Sequence, residues 1–345
     1  MNYVFGPVPS RRLGRSLGID PVPIKTCNWN CIYCQLGRSI PLVNERRDFF
    51  PPEEIIREIE EALSQHDPSE IDWITFAGSG EPLLHASIGR LIRAVKSMTR
   101  IPVALLTNGS FLHLPDVRGD ALAVDAVMPT IDAGTKEMFR KVNRPHPGIS
   151  YDQYIDGLVS FRKEYKGKLW PEVMLVRGVN DTEESLRDIA DVLRRVKPDE
   201  VHISLPVRPP AETWIEPPDD EGLLRALAIL GGSARVVHPV DTDFDMGGFE
   251  TAVDAVIGIV SRHPMREDEI EDTLARWTPG EVKEALAELQ ASGKVQIVER
   301  HGVRFWTSAS LYYPGREKSE RTAPKSKRAA PKNKRTAPKN KHSRS

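Results

Sequence analysis

The chain has 345 residues, of which 39% are hydrophobic, 28% are charged and 7% are aromatic, and its formal net charge is −1. This composition is typical of folded globular proteins and excludes disordered, fibrous and collagen-like chains, while the length predicts one large domain and a smaller one. Because no run of about 18 apolar residues occurs and the first residues, MNYVFGPVPSRRLG, do not resemble a secretory signal, we expect a cytoplasmic protein without membrane contact.

Short apolar segments alternate with amphipathic helical patterns up to residue 230. The predicted strands are 17–20, 73–77, 103–107, 126–131, 172–176 and 201–205, and the predicted helices are 51–64, 87–98, 151–165, 182–196 and 219–230. In the first helix Ile55, Ile59 and Leu63 share one face behind two prolines. The alternation predicts about six strand–helix units with parallel strands. This α/β pattern fits either a barrel or an open doubly wound sheet.

The pattern changes after Gly248. Two helices are predicted at 251–262 and 267–276, and a third begins behind Thr278 as its N-cap. Residues 294–308 then predict a hairpin that turns at His301 and Gly302. Three helices followed by a two-stranded wing resemble a winged helix, so we expect a winged-helix domain at 250–313.

The last thirty residues, 316–345, carry twelve Lys or Arg and two Glu. This segment therefore has a charge of +10 and the preceding residues have a charge of −11. A seven-residue unit recurs in it as RTAPKSK, RAAPKNK and RTAPKNK, each copy with a proline and without a large apolar residue. We predict a disordered tail, either simply solvated or in nonspecific contact with nucleic acid through counterion release.

All the cysteines of the chain, Cys27, Cys31 and Cys34, lie within eight residues. In a reducing compartment this favours metal binding or catalysis over a disulfide. The spacing C-x-x-x-C-x-x-C offers three thiolates from one loop, which suits three corners of a cubane iron–sulfur cluster and leaves one iron open. Structural zinc fits less well because it needs four ligands, and the next candidate, His66, is 32 positions beyond Cys34. A ferredoxin-type carrier would need a fourth cysteine.

The cysteine motif, with Tyr33 at its aromatic position, resembles the C-x-x-x-C-x-aromatic-C signature of the radical S-adenosylmethionine (radical SAM) enzymes. The resemblance implies that Cys27, Cys31 and Cys34 bind one 4Fe–4S cluster, and that S-adenosylmethionine chelates the open iron. One electron then splits the sulfonium to give a 5′-deoxyadenosyl radical, which takes a hydrogen atom from the substrate. The family fold implies a partial (β/α)6 TIM-like barrel, here at 1–246, with the cysteine loop after its first strand.

A second segment, FAGSGEPLL at 76–84, looks like the family's Gly-Gly-Glu segment, with Gly78, Ser79, Gly80 and Glu81 in place. Small residues let backbone carbonyls approach the methionine ammonium, and a carboxylate assists. The alternative is a turn at a strand exit, with Glu81 as a helix N-terminal charge. The position one strand after the cysteine loop favours cosubstrate binding.

Asn108 and Asp132 complete the predicted cofactor-binding set together with Tyr33. They follow the third and fourth strands, where the active sites of barrels gather. Either residue could instead make a turn or a cap. The pattern identifies no catalytic side chain that would donate hydrogen.

Several arginines have two interpretations at this stage. Arg177 either meets the carboxylate of the cosubstrate or is solvated. The segment PSRRLGRSLG offers Arg11, Arg12 and Arg15, which either hold an anionic substrate or lie on the surface.

The absence of a cysteine beyond Cys34 excludes a second thiolate-bound cluster. The N-terminal region of the chain resembles a group of bacterial and archaeal proteins that is usually placed beside the tRNA wyosine-base synthases. Those synthases carry a second cysteine set that this chain lacks, so their tRNA reaction is not carried over. The resemblance covers roughly residues 3–240.

Two functions follow as hypotheses. The first is a radical SAM enzyme of unknown substrate that receives electrons from a donor such as flavodoxin or ferredoxin. The second is an iron–sulfur regulator whose winged helix and basic tail bind nucleic acid. The helix after Thr278 argues against the second, because Glu281, Glu284 and Glu288 outnumber Lys283 and would repel phosphates.

Overall fold

The computed structural model describes residues 3–237, 251–274 and 277–313. The predicted tail, 316–345, and the predicted domain boundary between 246 and 250 lie outside these ranges. All described residues belong to one unit, Met1–Pro314. In the described part of the chain, no helix combines the length and the apolar character needed to cross a membrane.

The first sheet has six strands in the order of the sequence. They are β1 (Val4–Ser10), β2 (Gly14–Ile19), β3 (Trp73–Phe76), β4 (Val103–Thr107), β5 (Ala126–Pro129) and β6 (Lys168–Leu169). β1 pairs with β2 as an antiparallel hairpin, and every later pair is parallel. The predicted first strand at 17–20 thus begins earlier, at Gly14. β1 was not predicted, because Pro7 and Pro9 disfavour a strand except at a sheet edge, which is where it lies.

A second parallel sheet continues the first. It contains β7 (Glu172–Met174), β8 (Val201–Ser204) and β9 (Ala234–Val236) in this order. A parallel bridge between Thr130 and Glu172 joins the end of β5 to the start of β7. The backbone N–H of Ile131 donates to Glu172 O at 2.8 Å across the same junction. The parallel alignment therefore passes from one sheet to the other.

Helices connect the parallel strands in the predicted alternation. They are α1 (Pro52–Gln65), α2 (Ile88–Met98), α3 (Pro115–Ala121), α4 (Lys136–Val142), α5 (Tyr151–Glu164), α6 (Glu183–Val196) and α7 (Asp220–Leu230). Ile55 and Ile59 of α1 are fully buried, as their spacing predicts, and Thr182 caps α6 by accepting from Ser185 N. The prediction of a mixed α/β fold with parallel strands is confirmed.

Alternate residues of the strands face opposite sides of the sheet. Leu17, Ile74 and Leu105 pack in the large core that also contains the helix residues. The other side, called the inner face below, carries Ser16 and Thr75, whose hydroxyl groups are 2.6 Å apart. A small apolar cluster lies on this side and includes Leu13, Ala104, Ala126, Met128 and Trp170.

The C-terminal part has its own elements and core. They are α8 (Ala252–Val260), β10 (Met265–Arg266), α9 (Glu267–Thr273), α10 (Pro279–Ala291), β11 (Val295–Arg300) and β12 (Val303–Ser308). The strands form an antiparallel sheet in the order β10-β12-β11. Val256, Leu286 and Trp306 are among the buried residues of a separate core. The predicted three helices and hairpin are present, and a third strand of two residues, too short to be predicted, adds to the hairpin.

Candidate functional site

The three cysteines lie on the loop that leaves the carboxyl end of β2. Two backbone turns shape the loop, with Cys34 N donating to Cys31 O at 3.2 Å and Gly37 N donating to Cys34 O at 3.0 Å. Each cysteine is a free thiol of intermediate burial. The loop therefore brings three thiols to the edge of the sheet at which the parallel strands end, as predicted.

Each cysteine sulfur has an N–H donor from another residue. The nitrogen–sulfur distances are 3.4 Å from Trp29 N to Cys27 Sγ, 3.6 Å from Asn143 Nδ2 to Cys31 Sγ and 3.3 Å from Lys25 Nζ to Cys34 Sγ. Asn108 Nδ2 lies 3.9 Å from Cys27 Sγ as a longer contact. Donors of this kind stabilise negative charge on sulfur, which is the form that binds iron. The surroundings of the thiols thus fit an iron–sulfur cluster.

Burial raises the pKa of the Cys27 thiol to about 12 and raises that of Cys31 as well. In the metal-free protein these groups remain protonated, so binding of iron must displace protons. Within the described residues, no three His, Cys, Asp or Glu side chains are grouped as ligands of a single metal ion.

The Gly78–Glu81 segment lies against the start of the cysteine loop. Lys25 N donates to Ser79 O at 2.6 Å, and Glu81 N donates to Thr26 O at 2.9 Å. At Gly80 an added Cβ would overlap the carbonyl oxygen of Thr26, so only glycine permits this approach. The two predicted motifs are therefore in direct contact through their backbones.

Ser79 and Gly78 also contact Asp20, the residue after β2. The backbone and hydroxyl of Ser79 donate to Asp20 Oδ2 at 3.1 and 2.6 Å. Gly78 has φ of +126°, which the absence of a side chain permits beside the Asp20 carboxyl group. Arg262 of the C-terminal part pairs with the same carboxylate oxygen at 3.2 Å. Burial raises the pKa of Asp20, while Arg262 opposes that rise.

The buried Glu81 carboxylate accepts three hydrogen bonds from the chain itself. The donors are Leu83 N at 2.9 Å, Thr107 Oγ1 at 2.6 Å and Asn108 N at 2.6 Å. Burial raises the pKa of Glu81 to about 7, against the lowering effect of these donors. The carboxylate therefore connects the glycine segment to the end of β4.

Asn108 and Asn28 bridge that strand end to the cysteine loop. Asn108 Nδ2 donates to Asn28 Oδ1 at 2.7 Å, and Asn28 Nδ2 donates to Ser110 Oγ at 2.8 Å. Ser110 N in turn donates to Asn108 Oδ1 at 2.9 Å. Asn108 thus lies next to the cysteine loop. Its side chain also accepts from Ser110 N, which is the turn that the alternative interpretation predicted.

Asp132 and Tyr33 form a second network on the other flank of the loop. Tyr33 Oη donates to Asp132 Oδ2 at 2.5 Å, and Asn143 Nδ2 donates to the same oxygen at 2.7 Å. Met174 N donates to Asp132 Oδ1 at 2.7 Å. Burial raises the pKa of Asp132 to about 6, and these donors oppose that rise. Since Asn143 also approaches Cys31, this network reaches the sulfur.

The C-terminal part holds the cysteine loop from its other side. Arg38 N donates to Tyr312 O at 2.9 Å, and Tyr313 Oη donates to Gln35 O at 2.5 Å. Gln35 Nε2 donates to Arg262 O at 3.1 Å. Leu36 packs with residues of β11 and the segment after β12. The loop is therefore fixed between the two parts of the protein.

Sequence reasoning missed Lys25, Asn28 and Asn143, which contact the cysteines or their neighbours. Lys25 and Asn28 flank Cys27, so their position in the motif was the available signal. Asn143 lies 112 residues after Cys31, and nothing in the sequence pairs the two. Arg177 is exposed, and Arg15 pairs with Asp72 at 3.0 Å on the surface.

A cavity of 220 Å³ adjoins the Asn28 network. It is lined by residues that include Asn44, Ser110, His113 and Ser150. None of the predicted site residues lines it, so we do not assign it to the cosubstrate.

Comparison with known proteins adds an independent finding. A family model described as the Radical SAM superfamily matches residues 22–193. A UPF0026 protein of Methanocaldococcus jannaschii is 37% identical over 280 residues, covering 79% of this chain and 86% of that protein. A GTP 3′,8-cyclase of Lactiplantibacillus plantarum is 25% identical over 221 residues, covering 62% and 61%. The crystal structure of a radical SAM methyltransferase from Sphaerobacter thermophilus is 18% identical, with a TM-score of 0.49, and the match covers 64% of this chain and 65% of that one.

Proposed function

Because the chain belongs to the radical SAM superfamily, whose members use a 4Fe–4S cluster and S-adenosylmethionine, we propose that it is an enzyme with one such cluster. It reductively cleaves S-adenosylmethionine to methionine and a 5′-deoxyadenosyl radical, with one electron supplied through the bound cluster. The radical then takes a hydrogen atom from a substrate that is not identified. The reaction is of the iron–sulfur oxidoreductase type.

One observation carries this proposal above the others. Three free thiols on a single loop lie at the carboxyl edge of a parallel sheet, and the Gly78–Glu81 segment is hydrogen-bonded to the same loop. Cys27, Cys31 and Cys34 would hold a 4Fe–4S cluster through their thiolates, and the cluster would supply the electron for cleavage of the cosubstrate. The matched residues 22–193 include both segments.

The side chains around the thiols have distinct roles in this proposal. Lys25 and Asn143 donate to cysteine sulfurs and so stabilise the negative charge that bound iron requires. Glu81 keeps the glycine segment against the end of β4, where the backbone of the segment would receive the methionine ammonium. Tyr33 and Asp132 fix the opposite flank of the loop. Asn108 donates a hydrogen bond to Asn28, the residue after Cys27, and so holds Cys27 at a fixed position relative to the end of β4.

The finer architecture is also part of the proposal. The order of six parallel strand–helix units, continued through the Thr130–Glu172 bridge, supports a partial (β/α)6 barrel. The order α8-β10-α9-α10-β11-β12, with its antiparallel sheet, supports a winged helix at 250–313. An electron donor such as flavodoxin or ferredoxin is the proposed partner.

A nucleic-acid regulator is the less favoured function. The exposed positions of α10 include Glu281, Glu284 and Glu288, against one cation, Lys283. Such a helix would be repelled by a phosphate backbone. The winged-helix part instead contacts the cysteine loop, which supports a role in the reaction rather than in reading a base sequence.

The test is production of 5′-deoxyadenosine. The full-length protein is reconstituted with iron and sulfide without oxygen, then given dithionite and S-adenosylmethionine. We expect 5′-deoxyadenosine from the wild-type protein and from Lys283→Ala, an exposed control in α10. Cys31→Ala should lose iron and reduce product to background.

Other results would reject the proposal. Product formation by Cys31→Ala at the wild-type level would exclude the cluster assignment. One zinc ion per chain in the purified protein would also exclude the assignment of the cysteines to an iron–sulfur cluster. Intact cluster without any product would favour the regulator.

A further inference from the structure

Arg262 of the C-terminal part reaches both segments of the candidate site. It lies in the turn that follows α8. Its Nε donates to Asp20 Oδ2 at 3.2 Å, and its carbonyl oxygen accepts from Gln35 Nε2 at 3.1 Å. Asp20 binds Ser79, and Gln35 follows Cys34 directly. One residue of the C-terminal part is therefore connected to the Gly78–Glu81 segment and to the cysteine loop.

The ring of Phe5 supports the guanidinium group of Arg262. Arg262 Cζ lies 4.6 Å from the centroid of this ring, which attracts a cation through its negative face. The ring covers Gly18 on the inner face of the sheet, and an added Cβ at Gly18 would overlap it. Since the Arg262 side chain is also only 15% exposed, it is held in one orientation, toward Asp20.

The carboxylate of Asp20 holds the backbone of Ser79. Asp20 Oδ2 accepts from Ser79 N at 3.1 Å and from Ser79 Oγ at 2.6 Å, in addition to Arg262. On the other side of the residue, Ser79 O accepts from Lys25 N at 2.6 Å. The conformation of the Gly78–Glu81 segment at Ser79 therefore depends on a carboxylate that Arg262 shares.

Arg262 supplies the positive charge that this buried carboxylate needs. The Asp20 side chain is 4% exposed, and its Oδ1 has no hydrogen-bond donor among the described residues. Burial raises the pKa of Asp20, and Arg262 is the strongest influence against that rise. An ionised carboxylate accepts stronger hydrogen bonds than a neutral acid does. Without Arg262, Asp20 would hold Ser79 less firmly.

Other contacts keep the C-terminal part in place when this pair is removed. Arg300 donates to three carbonyl oxygens of the segment between β8 and α7 at 2.6–2.9 Å. Tyr313 Oη donates to Gln35 O at 2.5 Å. Loss of the Arg262 side chain should therefore act on the Gly78–Glu81 segment rather than on the docking of the C-terminal part.

We propose that Arg262 is a positioning residue for the cosubstrate: through Asp20 it fixes the backbone of Ser79 in the conformation that binds the methionine part of S-adenosylmethionine. The inference rests on the proposed function, since it adds a residue to the cosubstrate site of that reaction. It also gives the C-terminal part a specific role, which is to complete the support of that site.

The experiment measures S-adenosylmethionine binding to the reconstituted full-length protein. Equilibrium dialysis is carried out without oxygen and without reductant, so that no cosubstrate is cleaved. We expect Arg262→Met to contain as much iron as the wild-type protein and to have a Kd about 10-fold higher, because a charge-assisted hydrogen bond to Asp20 is lost. Arg262→Lys keeps a cation beside Asp20 and should bind more tightly than Arg262→Met. The exposed Arg304→Met is the control and should bind like the wild-type protein.

Asp20→Asn tests the same connection from its other end. It removes the charge and preserves the shape of the side chain, so it should raise the Kd to a similar extent at unchanged iron content. The double variant with Arg262→Met should bind no more weakly than the weaker of the two single variants, because both substitutions break one contact.

Three outcomes overturn the inference. The first is a wild-type Kd in both Arg262→Met and Asp20→Asn. The second is a loss of iron together with affinity in both variants, which would assign the pair to the stability of the cysteine loop. The third is an equal rise of the Kd in Arg304→Met. If Arg262→Met does not fold, Asp20→Asn decides by the same criteria.

Failure of the proposed function gives a different result. The wild-type protein itself would then bind no S-adenosylmethionine and form no 5′-deoxyadenosine.

Discussion

Gly80 is the residue at which the two motifs of the site meet. A methyl group at this position overlaps Thr26 O, and the backbone on both sides is held by hydrogen bonds. We expect Gly80→Ala to lower the free energy of unfolding by about 3 kcal/mol and to reduce iron bound after reconstitution. Urea denaturation and iron analysis measure the two effects.

Gly119→Ala is the matched control for this substitution. Gly119 lies in α3, and nothing is within 4 Å of its added Cβ. Alanine should therefore stabilise the protein by about 0.5–1 kcal/mol through helix propensity. Equal stability changes in the two variants would show that the Thr26 contact does not constrain the loop.

Glu81 predicts a pH dependence of stability in the metal-free protein. Burial raises its pKa from 4.5 to about 7, so the folded state favours the neutral acid. Its stabilising contribution is fully present below pH 4.5 and is lost as the pH rises to 7. The stability of the wild-type protein relative to Glu81→Gln should therefore fall by about 3 kcal/mol over this interval.

Urea denaturation at several pH values measures this difference. The exposed Glu284→Gln provides the control for the same chemical change on the surface. A difference between wild type and Glu81→Gln that does not change with pH would contradict the assignment of Glu81 as a buried acid.

At this scale the sequence identified residues whose chemistry is rare in the chain. Three cysteines in eight residues predict a single iron–sulfur cluster, and their role as its ligands stays a prediction. The partners Asn28 and Asn143 could not be found, since asparagine is common in turns and the contact exists only after folding. The predicted contact of Glu81 with the cosubstrate stays a prediction, and its observed partners belong to the chain.

At the scale of elements, the predicted helices and parallel strands follow from periodicity. α1 and α6 have apolar residues on one face, and the buried strands between them are short apolar runs. β9 and β10 were missed because they have three and two residues, with no periodic pattern to detect. The bridge from β5 to β7 was also unpredictable, since it depends on how two distant segments align.

Arg300 of β11 predicts how strongly the C-terminal part is held. Its guanidinium donates to the carbonyl groups of Pro206 at 2.8 Å, Arg208 at 2.6 Å and Ile215 at 2.9 Å. Arg300→Met leaves these carbonyls without their donor. We expect a loss of about 2 kcal/mol in the free energy of unfolding, measured by urea denaturation.

Arg304→Met is the corresponding control on β12. Arg304 lies 3.6 Å from Glu267 in an exposed pair. Its replacement should change stability by less than about 0.5 kcal/mol. A similar loss in both variants would mean that the three carbonyls do not depend on Arg300.

At the scale of the whole molecule, the charge is divided between two segments. Residues 316–345 carry +10 and the rest of the chain carries −11. We predict that the full chain is retained by RNA or DNA at low salt and that a truncation after Pro314 is not. Retention of the full chain should fall steeply as salt increases, which column binding at several salt concentrations measures.

The chain truncated after Pro314 is the control for this prediction, because the residues before the tail have a negative net charge and should not bind nucleic acid. Equal retention of both chains would end the proposal of a nucleic-acid contact through the tail. The composition of the tail was readable from the sequence alone, whereas its partner is not encoded in its repeats.

The contact of Tyr313 with Gln35 has a consequence for biosynthesis. The two residues are 278 positions apart, so the cysteine loop emerges from the ribosome long before the segment that secures it. In a nascent chain the cysteine loop therefore lacks its contacts with the C-terminal part. The contact between the cysteine loop and Tyr313 therefore forms only after the C-terminal part has been synthesised, and a product that ends before Tyr313 would lack it.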